Sequence, residues 1–393
     1  MIEKCCICGN KVETKKILPY RDLIGSGVEI YNMHIARCDN CGFIFQQNPF
    51  TDEQLENRYK SESKFEFDSN SYIPNGEDNY AKRCKRQKNF IEENISGKPN
   101  GGGYESILEI GAASGYNLSL YSDKHRLGIE PSELNCKLAK KNYGVEMFNG
   151  MWSEFWASNT GKTFDLIFTS HVLEHIVNPM KFIQECASIC NKYMLIEVPC
   201  FDIKFIDEPF GMFAEEHVNY FTIQSLSTIM NNTGFKMLNA ELVFEPKNRT
   251  PNGFPAISSL WEKSPNVLPI YNSDSCLERY LRENEILLQE INKKINAIPY
   301  NEKLALWGIA HHVSMLLANT CLGNKNIVRM YDSDKRKTGF KIMGIPITPF
   351  DKADIESGAV DAILITTYTA QRSILRAIEK MNLNCKIYTL YDI

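Results

Sequence analysis

The chain has 393 residues, 43% of them hydrophobic and 23% charged, and a formal net charge of −4. This length and composition are typical of a globular protein with two or three domains, and the slight acidity gives no general attraction to nucleic acid or to anionic membranes. No apolar run approaches the roughly 18–20 residues of a transmembrane helix, and no signal peptide is evident. The thirteen cysteines therefore predict a reducing, cytoplasmic setting with one metal site rather than a disulfide framework.

The first segment carries two C-x-x-C-G knuckles. Their thiolates suit one tetrahedral Zn²⁺, and a site with four cysteines leaves no open position for catalysis. The alternative is a set of unpaired cytosolic thiols. Residues 1–75 are predicted to form a structural zinc module followed by a substrate loop, with the metal ligands Cys5, Cys8, Cys38 and Cys41.

The next pattern is typical of a doubly wound α/β sheet, predicted to cover residues 76–250. An apolar strand, 107–110, stops at Gly111 and Gly115, and a helical segment follows. Strand, glycine turn and helix together present backbone N–H groups and a helix N-terminus to a ligand. The following strand ends at Glu130, whose carboxylate can accept both hydroxyls of a ribose.

Two further regions carry charged side chains that suit a substrate. A helix predicted over 78–95 is rich in lysine and arginine, which either form a solvated face or reach a substrate diphosphate. After the fifth predicted strand comes Glu215-Glu216-His217. A histidine flanked by carboxylates beyond a strand's carboxyl end lies where open α/β sheets bind ligands, and a carboxylate can orient the ring as a general base. The alternative is a loop histidine satisfied by an adjacent acid.

A second, smaller α/β unit is predicted at the C-terminal end of the chain. One strand runs into Gly308, and the next ends in acids at Asp332. Residues 301–393 are predicted to form a Rossmann-like domain, and residues 251–300 a linker with a connecting helix. One glycine and one acid do not demonstrate a nucleotide site, so substrate binding and scaffolding are equal alternatives.

The order of motifs over residues 80–240 resembles that of the class I S-adenosylmethionine-dependent methyltransferases. The matching motifs are the E-x-G-x-x-x-G loop at 109–115, the acid after the second strand, and H-V-L-E-H-I at 171–176 after the fourth. The resemblance implies that the glycine loop faces the methionine end of the methyl donor and that the acid holds its ribose. It further implies that the adenine lies near Trp152, for which core packing is the alternative. The predicted donor contacts are Glu109, Gly111, Ala112, Gly115, Glu130, Trp152 and His171.

The order of zinc module, methyltransferase core and Rossmann-like domain resembles the C-methyltransferases that act on nucleotide-linked 4-keto deoxysugars. The resemblance implies that the two outer domains bracket a nucleotide-sugar cleft. The family's E-H pair before an aromatic Y-F corresponds to Glu216 and His217, and its histidine after the fourth strand corresponds to His175. His217 would take a proton next to the ketone while Glu216 holds its ring. His175 would stabilise the enolate oxygen, and packing is the alternative for this side chain.

Two departures from that family leave the reaction open. Ala214 stands where the family has a tyrosine, and Phe65 and Phe67 replace tyrosines of the substrate loop. Three hypotheses follow: a sugar C-methyltransferase, an O- or N-methyltransferase on a sugar or another small metabolite, and an RNA-directed or non-catalytic binding protein. The acidic balance argues against RNA, and the intact glycine loop argues against a scaffold.

Overall fold

The computed structural model describes eight segments of the chain. The predicted substrate loop, including Phe65 and Phe67, lies outside them. Within the described residues, the strands form three sheets of four, seven and six strands. The described segments are 1–22, 29–50, 78–95, 103–159, 161–203, 208–245, 254–265 and 276–392.

The N-terminal sheet combines strands from two distant parts of the chain. Three antiparallel strands come from the cysteine-rich segment, and the fourth comes from residues some 170 positions later in the sequence. The second cysteine knuckle lies between the second and third strands, so the sheet and the knuckles form one module. The strands, in spatial order, are β1 (Thr14–Arg21), β2 (Ile30–Arg37), β3 (Ile44–Gln46) and β9 (Asn219–Tyr220).

The central sheet has seven strands in the order β10-β11-β8-β7-β4-β5-β6. Strands β4 to β8 are parallel, and β11 runs antiparallel between β8 and β10. The chain leaves β4 toward one edge and returns on its other side at β7, which makes the carboxyl end of β4 the switch point where such sheets bind ligands. The strands are β4 (Ser106–Ile110), β5 (His125–Glu130), β6 (Glu146–Asn149), β7 (Phe164–Ser170), β8 (Cys190–Pro199), β10 (Phe235–Glu245) and β11 (Phe254–Lys263).

Helices and apolar side chains cover both faces of this sheet. Successive strand residues point to opposite faces, so Ile196 packs with the cysteine knuckles and two later helices, while Leu195 packs with the first helix. The α/β fold class predicted from the sequence is confirmed. The helices are α1 (Asn79–Ile95), α2 (Tyr116–Ser119), α3 (Glu133–Tyr143), α4 (Trp152–Ser158), α5 (Pro179–Ile189) and α6 (Ile223–Asn232), with a 3₁₀ turn at Leu173–His175.

One boundary predicted from the sequence requires correction. The sequence predicts a linker with a connecting helix over residues 251–300, but strand β11 of that range pairs with β10 over ten residues and with β8 over seven. The central sheet therefore extends to Lys263. The connecting helix is present as α7 (Cys276–Asn296).

The C-terminal unit is built on a six-stranded sheet in the order β14-β15-β13-β12-β16-β17. It shares an apolar core with the N-terminal sheet, in which Leu18 and Tyr20 pack with Leu306 and Val313. Among the described residues, no helix has both the length and the apolar character needed to cross a bilayer. The elements are β12 (Leu304–Trp307), α8 (His311–Asn319), β13 (Ile327–Tyr331), β14 (Lys341–Ile342), β15 (Ile345–Thr348), α9 (Ala353–Glu356), β16 (Ala362–Ile365), α10 (Gln371–Met381) and β17 (Lys386–Thr389).

Candidate active site

The glycine turn lies at the carboxyl end of β4 and is held by the neighbouring strand. The N–H groups of Gly111 and Ala112 donate to the carbonyl of Ile129, at 2.9 and 3.1 Å. Gly111 has a φ of +77°, and a Cβ at this position would lie 2.6 Å from Cγ2 of Val172. Only glycine meets both conditions, because the left-handed backbone and the close side chain each disfavour a Cβ. The turn is therefore held by the neighbouring strand and packed against Val172.

Glu109 lies just before this turn and is almost fully buried, at 4% exposure. One carboxylate oxygen accepts a hydrogen bond from Asn117 Nδ2 at 2.9 Å. The other, Oε2, is buried without a hydrogen-bond partner among the described residues. Burial raises the pKa of this carboxyl to about 8, although Asn117 and the charge of Arg83 act in the opposite direction. A buried carboxylate oxygen of this kind suits a cationic ligand, since an unpaired acceptor is costly to bury.

Glu130, at the end of β5, ties the second strand to the same turn. Its Oε2 accepts from the backbone N–H of Ala113 at 3.0 Å, and its Oε1 accepts from the N–H of Ser132 at 2.9 Å. The side-chain amide of Asn135 also lies 3.4 Å from Oε1. The acid therefore fixes the turn from the second strand.

A cluster of histidines around a buried carboxylate lies at the carboxyl end of β7, the strand next to β4. Glu174 is 1% exposed, and its Oε1 lies 3.4 Å from His171 Nδ1 and 3.9 Å from His175 Nε2. One ligand atom each from Glu174, His175 and His217 lies within 4.8 Å of the others. Burial would raise the pKa of Glu174, but the hydrogen bond from His171 and the nearby histidine charges hold it at about 2. Glu174 is therefore an anion beneath the imidazoles.

The ring of His175 is oriented by the main chain of the facing loop. Its Nδ1 lies 2.9 Å from the carbonyl oxygen of Glu216. Because a carbonyl only accepts, Nδ1 carries the proton in this hydrogen bond. The rings of His175 and His217 meet edge to face, with centroids 4.9 Å apart. Two histidines from different elements thus meet beside Glu174.

Comparison with known protein families now identifies the central region. Residues 77–240 match the model of a family described as "Methyltransferase domain". The strand order, with one antiparallel strand inserted next to the edge strand, agrees with that assignment. This region is a class I, S-adenosylmethionine-dependent methyltransferase domain. The protein is accordingly a methyltransferase enzyme.

Solved structures with a similar fold include several methyltransferases. One is a SAM-dependent methyltransferase from Archaeoglobus fulgidus, with 16% identity, coverage of 46% of this chain and 93% of that chain, and a TM-score of 0.35. Another is the magnesium protoporphyrin IX methyltransferase from Synechocystis PCC 6803, with 13% identity, coverage of 46% and 84%, and a TM-score of 0.35. No curated protein sequence matches the chain. Sequence identities and TM-scores this low give no information about the substrate of this chain. The methyl acceptor is therefore inferred from the residues of the site.

Two residues predicted to contact the methyl donor also make contacts that hold the fold together. The indole N–H of Trp152 donates to Glu185 at 2.7 Å, and its ring packs edge to face on Phe182 with centroids 5.2 Å apart. His171 has a φ of +55°, and its backbone N–H donates to the carbonyl of Glu197 at 2.8 Å. Trp152 therefore anchors α4 to α5. His171 is held at the end of β7 by the adjacent strand.

One arginine of the cationic helix α1 forms ion pairs with acids of the central sheet. Arg86 forms ion pairs with the fully buried Glu197 at 2.8 Å and with Glu241 at 3.2 Å. Gln87 donates to the same Glu197 at 2.8 Å. Arg86 therefore fixes α1 over the carboxyl end of β8 rather than forming only a solvated face.

The four predicted metal ligands come together in the N-terminal module. Cys5 Sγ lies 3.5 Å from Cys41 Sγ, and Cys8 Sγ lies 3.4 Å from Cys38 Sγ. All four sulfurs lie within 4.8 Å of one another. A tetrahedral zinc ion with Zn–S bonds of about 2.3 Å would place its sulfurs about 3.8 Å apart, so the cluster fits such an ion after small adjustments.

Sequence reasoning missed three side chains that organise the site. Glu174 was signalled by its place between two histidines in H-V-L-E-H-I, but this pattern alone does not reveal its burial. Asn117 and Gln46 carried no signal, because their roles depend on contacts made only in the fold.

Proposed function

We propose that this methyltransferase acts on a nucleotide-linked sugar, methylating the carbon next to a keto group, with His217 as the base. The observation that carries the proposal is the cluster of His217, His175 and the buried Glu174. It lies beyond β7, which pairs in parallel with β4. The base and the glycine turn therefore occupy the same edge of the sheet, where a donor and an acceptor can meet.

The residues around the glycine turn fit S-adenosylmethionine. Glu109 offers a buried carboxylate oxygen without a partner among the described residues, which suits the ammonium of the methionine part. Glu130, at the end of the second parallel strand, would accept the ribose hydroxyls, as the family resemblance implies. Gly111, Ala112 and Gly115 would line the donor through the backbone. When bound, the donor supplies an electrophilic methyl group on a sulfonium.

The side chains of the cluster have complementary roles in proton transfer. His217 would remove the proton from the carbon next to the ketone, which makes that carbon nucleophilic. The Glu174 anion would stabilise the imidazolium that forms, because opposite charges attract strongly in a buried site. Glu216 would hold the loop through its carbonyl and assist His217 as the sequence predicts.

His175 would stabilise the enolate oxygen only as an imidazolium. Its Nδ1–H is committed to the carbonyl of Glu216, so a hydrogen bond to the substrate must come from Nε2. A neutral ring has only one N–H, and His175 therefore needs both protons to play this part. The buried carboxylate of Glu174, 3.9 Å from Nε2, supplies the compensating charge.

Two further parts of the proposal concern the zinc ion and the sugar. Zinc would be structural, since the four thiolates leave no open position. The nucleotide-linked sugar rests on the resemblance of the domain order and on the position of the loop that carries His217. His311 of the C-terminal unit lies 3.1 Å, through its Nε2, from the carbonyl of Phe213 at the start of that loop, so all three modules meet beside the cluster.

A second candidate is cation-assisted O-methylation of a sugar or another small metabolite. The observation that favours it is the spacing of Glu174, His175 and His217, whose ligand atoms lie within 4.8 Å of one another. Two imidazoles and one carboxylate are a common ligand set for a divalent metal. In this case the three side chains would orient a hydroxyl through the ion, and His217 would not act as the carbon base.

Product analysis separates these candidates. The protein is incubated with methyl-labelled donor and a panel of nucleotide-linked keto and hydroxy sugars, and the label is located by mass spectrometry and NMR. We expect label on a carbon next to the ketone, with the rate reduced by about 10²–10⁴-fold in His217→Ala. The matched control His125→Ala removes an exposed histidine from the start of β5 and should keep the full rate.

Each other outcome has a definite reading. Label on oxygen, lost on adding EDTA and restored by Mg²⁺ or Mn²⁺, would replace the first candidate by the second. A full rate in His217→Ala would reject His217 as the base. Label on none of the sugars would reject the proposed class of acceptor.

A further inference from the structure

Gln46, the last residue of β3, reaches from the zinc module into the loop that carries the proposed base. It is 1% exposed. Its side-chain Nε2 donates to the carbonyl of Ala214 and to the carbonyl of His217, both at 2.8 Å. Its backbone N–H donates to the carbonyl of Val218 at 2.9 Å. One residue therefore binds both ends of the segment 214–217.

The orientation of the Gln46 amide follows from these two carbonyls, which only accept and therefore identify Nε2 as the donor. Its Oε1 lies 3.1 Å from the hydroxyl of Tyr31. Glutamine is suited to this position because its NH₂ group has two protons for two carbonyls. Glutamate would keep the size but present only oxygens to the carbonyls.

The same short loop is bound by side chains from the other two modules. The carbonyl of Glu216 accepts from His175 Nδ1 in the methyltransferase core. The carbonyl of Phe213 lies 3.1 Å from Nε2 of His311 in the C-terminal unit. Successive loop carbonyls are thus held by three modules, and Gln46 makes two of these contacts.

We propose that Gln46 is a positioning residue that holds the loop 213–217, and with it the His217 ring, against His175. The zinc module would then act on the reaction through the short segment from Cys41 to Gln46, which includes β3, without touching the substrate. This inference rests on the proposed function for its catalytic meaning, whereas the anchoring itself can be measured without a substrate.

The neighbouring residue Gln47 provides a matched control. It is also buried, at 5% exposure, but its Nε2 donates to the carbonyl of Ile2 at 2.9 Å and its Oε1 accepts from Thr14. All of these partners lie in the N-terminal module. Gln46→Leu and Gln47→Leu therefore each remove one buried side-chain amide from adjacent residues, and only the first variant releases the loop.

The test is NMR of the histidine rings in the full-length protein, with the His217 and His175 signals assigned from His217→Asn and His175→Asn. We expect Gln46→Leu to shift and broaden both ring signals, while Gln47→Leu leaves them at their wild-type positions. Affinity for S-adenosylhomocysteine and zinc content should stay at wild-type values in both variants. With an acceptor in hand, the transfer rate of Gln46→Leu should fall about 10–100-fold, as expected for a misplaced catalytic group.

Gln46→Glu keeps the proposal testable if the leucine variant does not fold, because it preserves the shape and removes both N–H donors. Ring signals of His217 and His175 that match wild type in a folded Gln46 variant would overturn the inference. Equal changes in the Gln47→Leu variant would also overturn it, since they would reflect general loosening of the module. A full transfer rate in His217→Ala would reject the proposed base and leave the anchoring result standing.

Discussion

The protein contains two glycine turns with the same topology and different chemistry. In the central sheet, β4 runs into Gly111, and Glu130 at the end of the next strand accepts the N–H of Ala113 at 3.0 Å. In the C-terminal sheet, β12 runs into Gly308, and Asp332 at the end of the next strand accepts the N–H of Ile309 at 2.9 Å. In both sheets, an acid from the second strand holds the turn of the first.

The two turns differ in what remains unsatisfied. The first has the buried Glu109 behind it, with one carboxylate oxygen lacking a partner among the described residues. In the second, Lys337 binds both Asp332 Oδ2, at 2.9 Å, and the carbonyl of Ile309, at 2.6 Å. The chain itself supplies the cation at the second turn, whereas the first is suited to receive one from a ligand.

This difference shows that the strand topology produces the glycine turn, whereas buried polar groups without a partner decide whether the turn suits a ligand. A buried carboxylate favours a cationic partner because leaving it unpaired costs free energy. The comparison favours docking as the role of the C-terminal turn, since His311 just beyond it contacts the loop of the proposed base. Five measurements test this reading.

The largest effect is expected from alanine at the two glycines. Gly111→Ala places a Cβ 2.6 Å from Val172 Cγ2 at a φ of +77°. Strain of up to about 3 kcal/mol on the turn should weaken S-adenosylhomocysteine binding by about 100-fold in calorimetry. Gly308→Ala, whose Cβ would clash with Thr367 Cγ2, should destabilise the C-terminal unit and leave that affinity unchanged. Equal losses in both variants would contradict the comparison.

Substitution of the acids at the two turns should likewise affect ligand affinity at the first turn and stability at the second. Glu109→Gln removes the charge proposed to bind the donor's ammonium. Charge-assisted hydrogen bonds contribute about 1.5–3 kcal/mol, so the affinity for S-adenosylhomocysteine should fall at least about tenfold. Asp332→Asn should lower the thermal midpoint, because Lys337 loses its counter-ion, without a change in affinity. Wild-type affinity in Glu109→Gln would remove Glu109 from the donor site.

The affinity for the donor should also depend on pH through Glu109. Its pKa is raised by burial to about 8, so in the free protein the carboxyl keeps its proton below that pH. Binding of an ammonium requires the ionised form and therefore releases a proton. Affinity should rise several-fold, and at most about tenfold, from pH 6.5 to 7.5. Because the released proton is taken up by the buffer, the measured binding enthalpy should depend on the buffer. Glu109→Gln should abolish both this dependence and the rise in affinity with pH. A rise that persists in the variant would show that another group titrates.

The same pKa shift has a consequence for stability without the donor. A carboxyl with a raised pKa favours the folded state below its ordinary pKa, and this contribution is lost as the pH rises through about 8. Wild-type protein should therefore lose stability relative to Glu109→Gln between about pH 5 and 8 in urea denaturation. Parallel stability curves would contradict the burial of an ionisable carboxyl.

The smallest effect on the affinity for the donor is expected from substitution of Trp152. Its indole N–H binds Glu185, and its ring packs on Phe182. Trp152→Phe should cost about 1 kcal/mol of unfolding free energy, the typical contribution of one hydrogen bond. The S-adenosylhomocysteine affinity should change by less than about threefold, which is below about 0.7 kcal/mol. A larger loss of affinity would place the indole in the donor site, as the sequence predicted.

Local patterns were sufficient for the methyltransferase turn and for the cysteine cluster. An apolar strand followed by Gly111, and a strand ending at Glu130, are signals carried by adjacent residues. The two C-x-x-C knuckles likewise need only the correct spacing, and Cys5 and Cys41 meet at 3.5 Å. Such signals survive without knowledge of the fold because the turn geometry itself requires those residue types.

Long-range contacts were not visible in the same way. Strand β11 was assigned to a linker because an antiparallel strand is recognised by the partners it inserts between, here β8 and β10. Gln46 and Ala214 meet across 168 positions of the sequence. Glu174 reads as an ordinary acid in H-V-L-E-H-I until its burial is known.

The sequence by itself therefore determined the α/β class, the glycine turn and the four clustered cysteines, because each depends on short-range geometry. Only the tertiary structure decided which carboxylates are buried and which loop each module holds. Burial and pairing are properties of the whole packed chain. They set the first turn, with the buried Glu109 behind it, apart from the second, where Lys337 pairs with Asp332, even though both turns follow the same local rules.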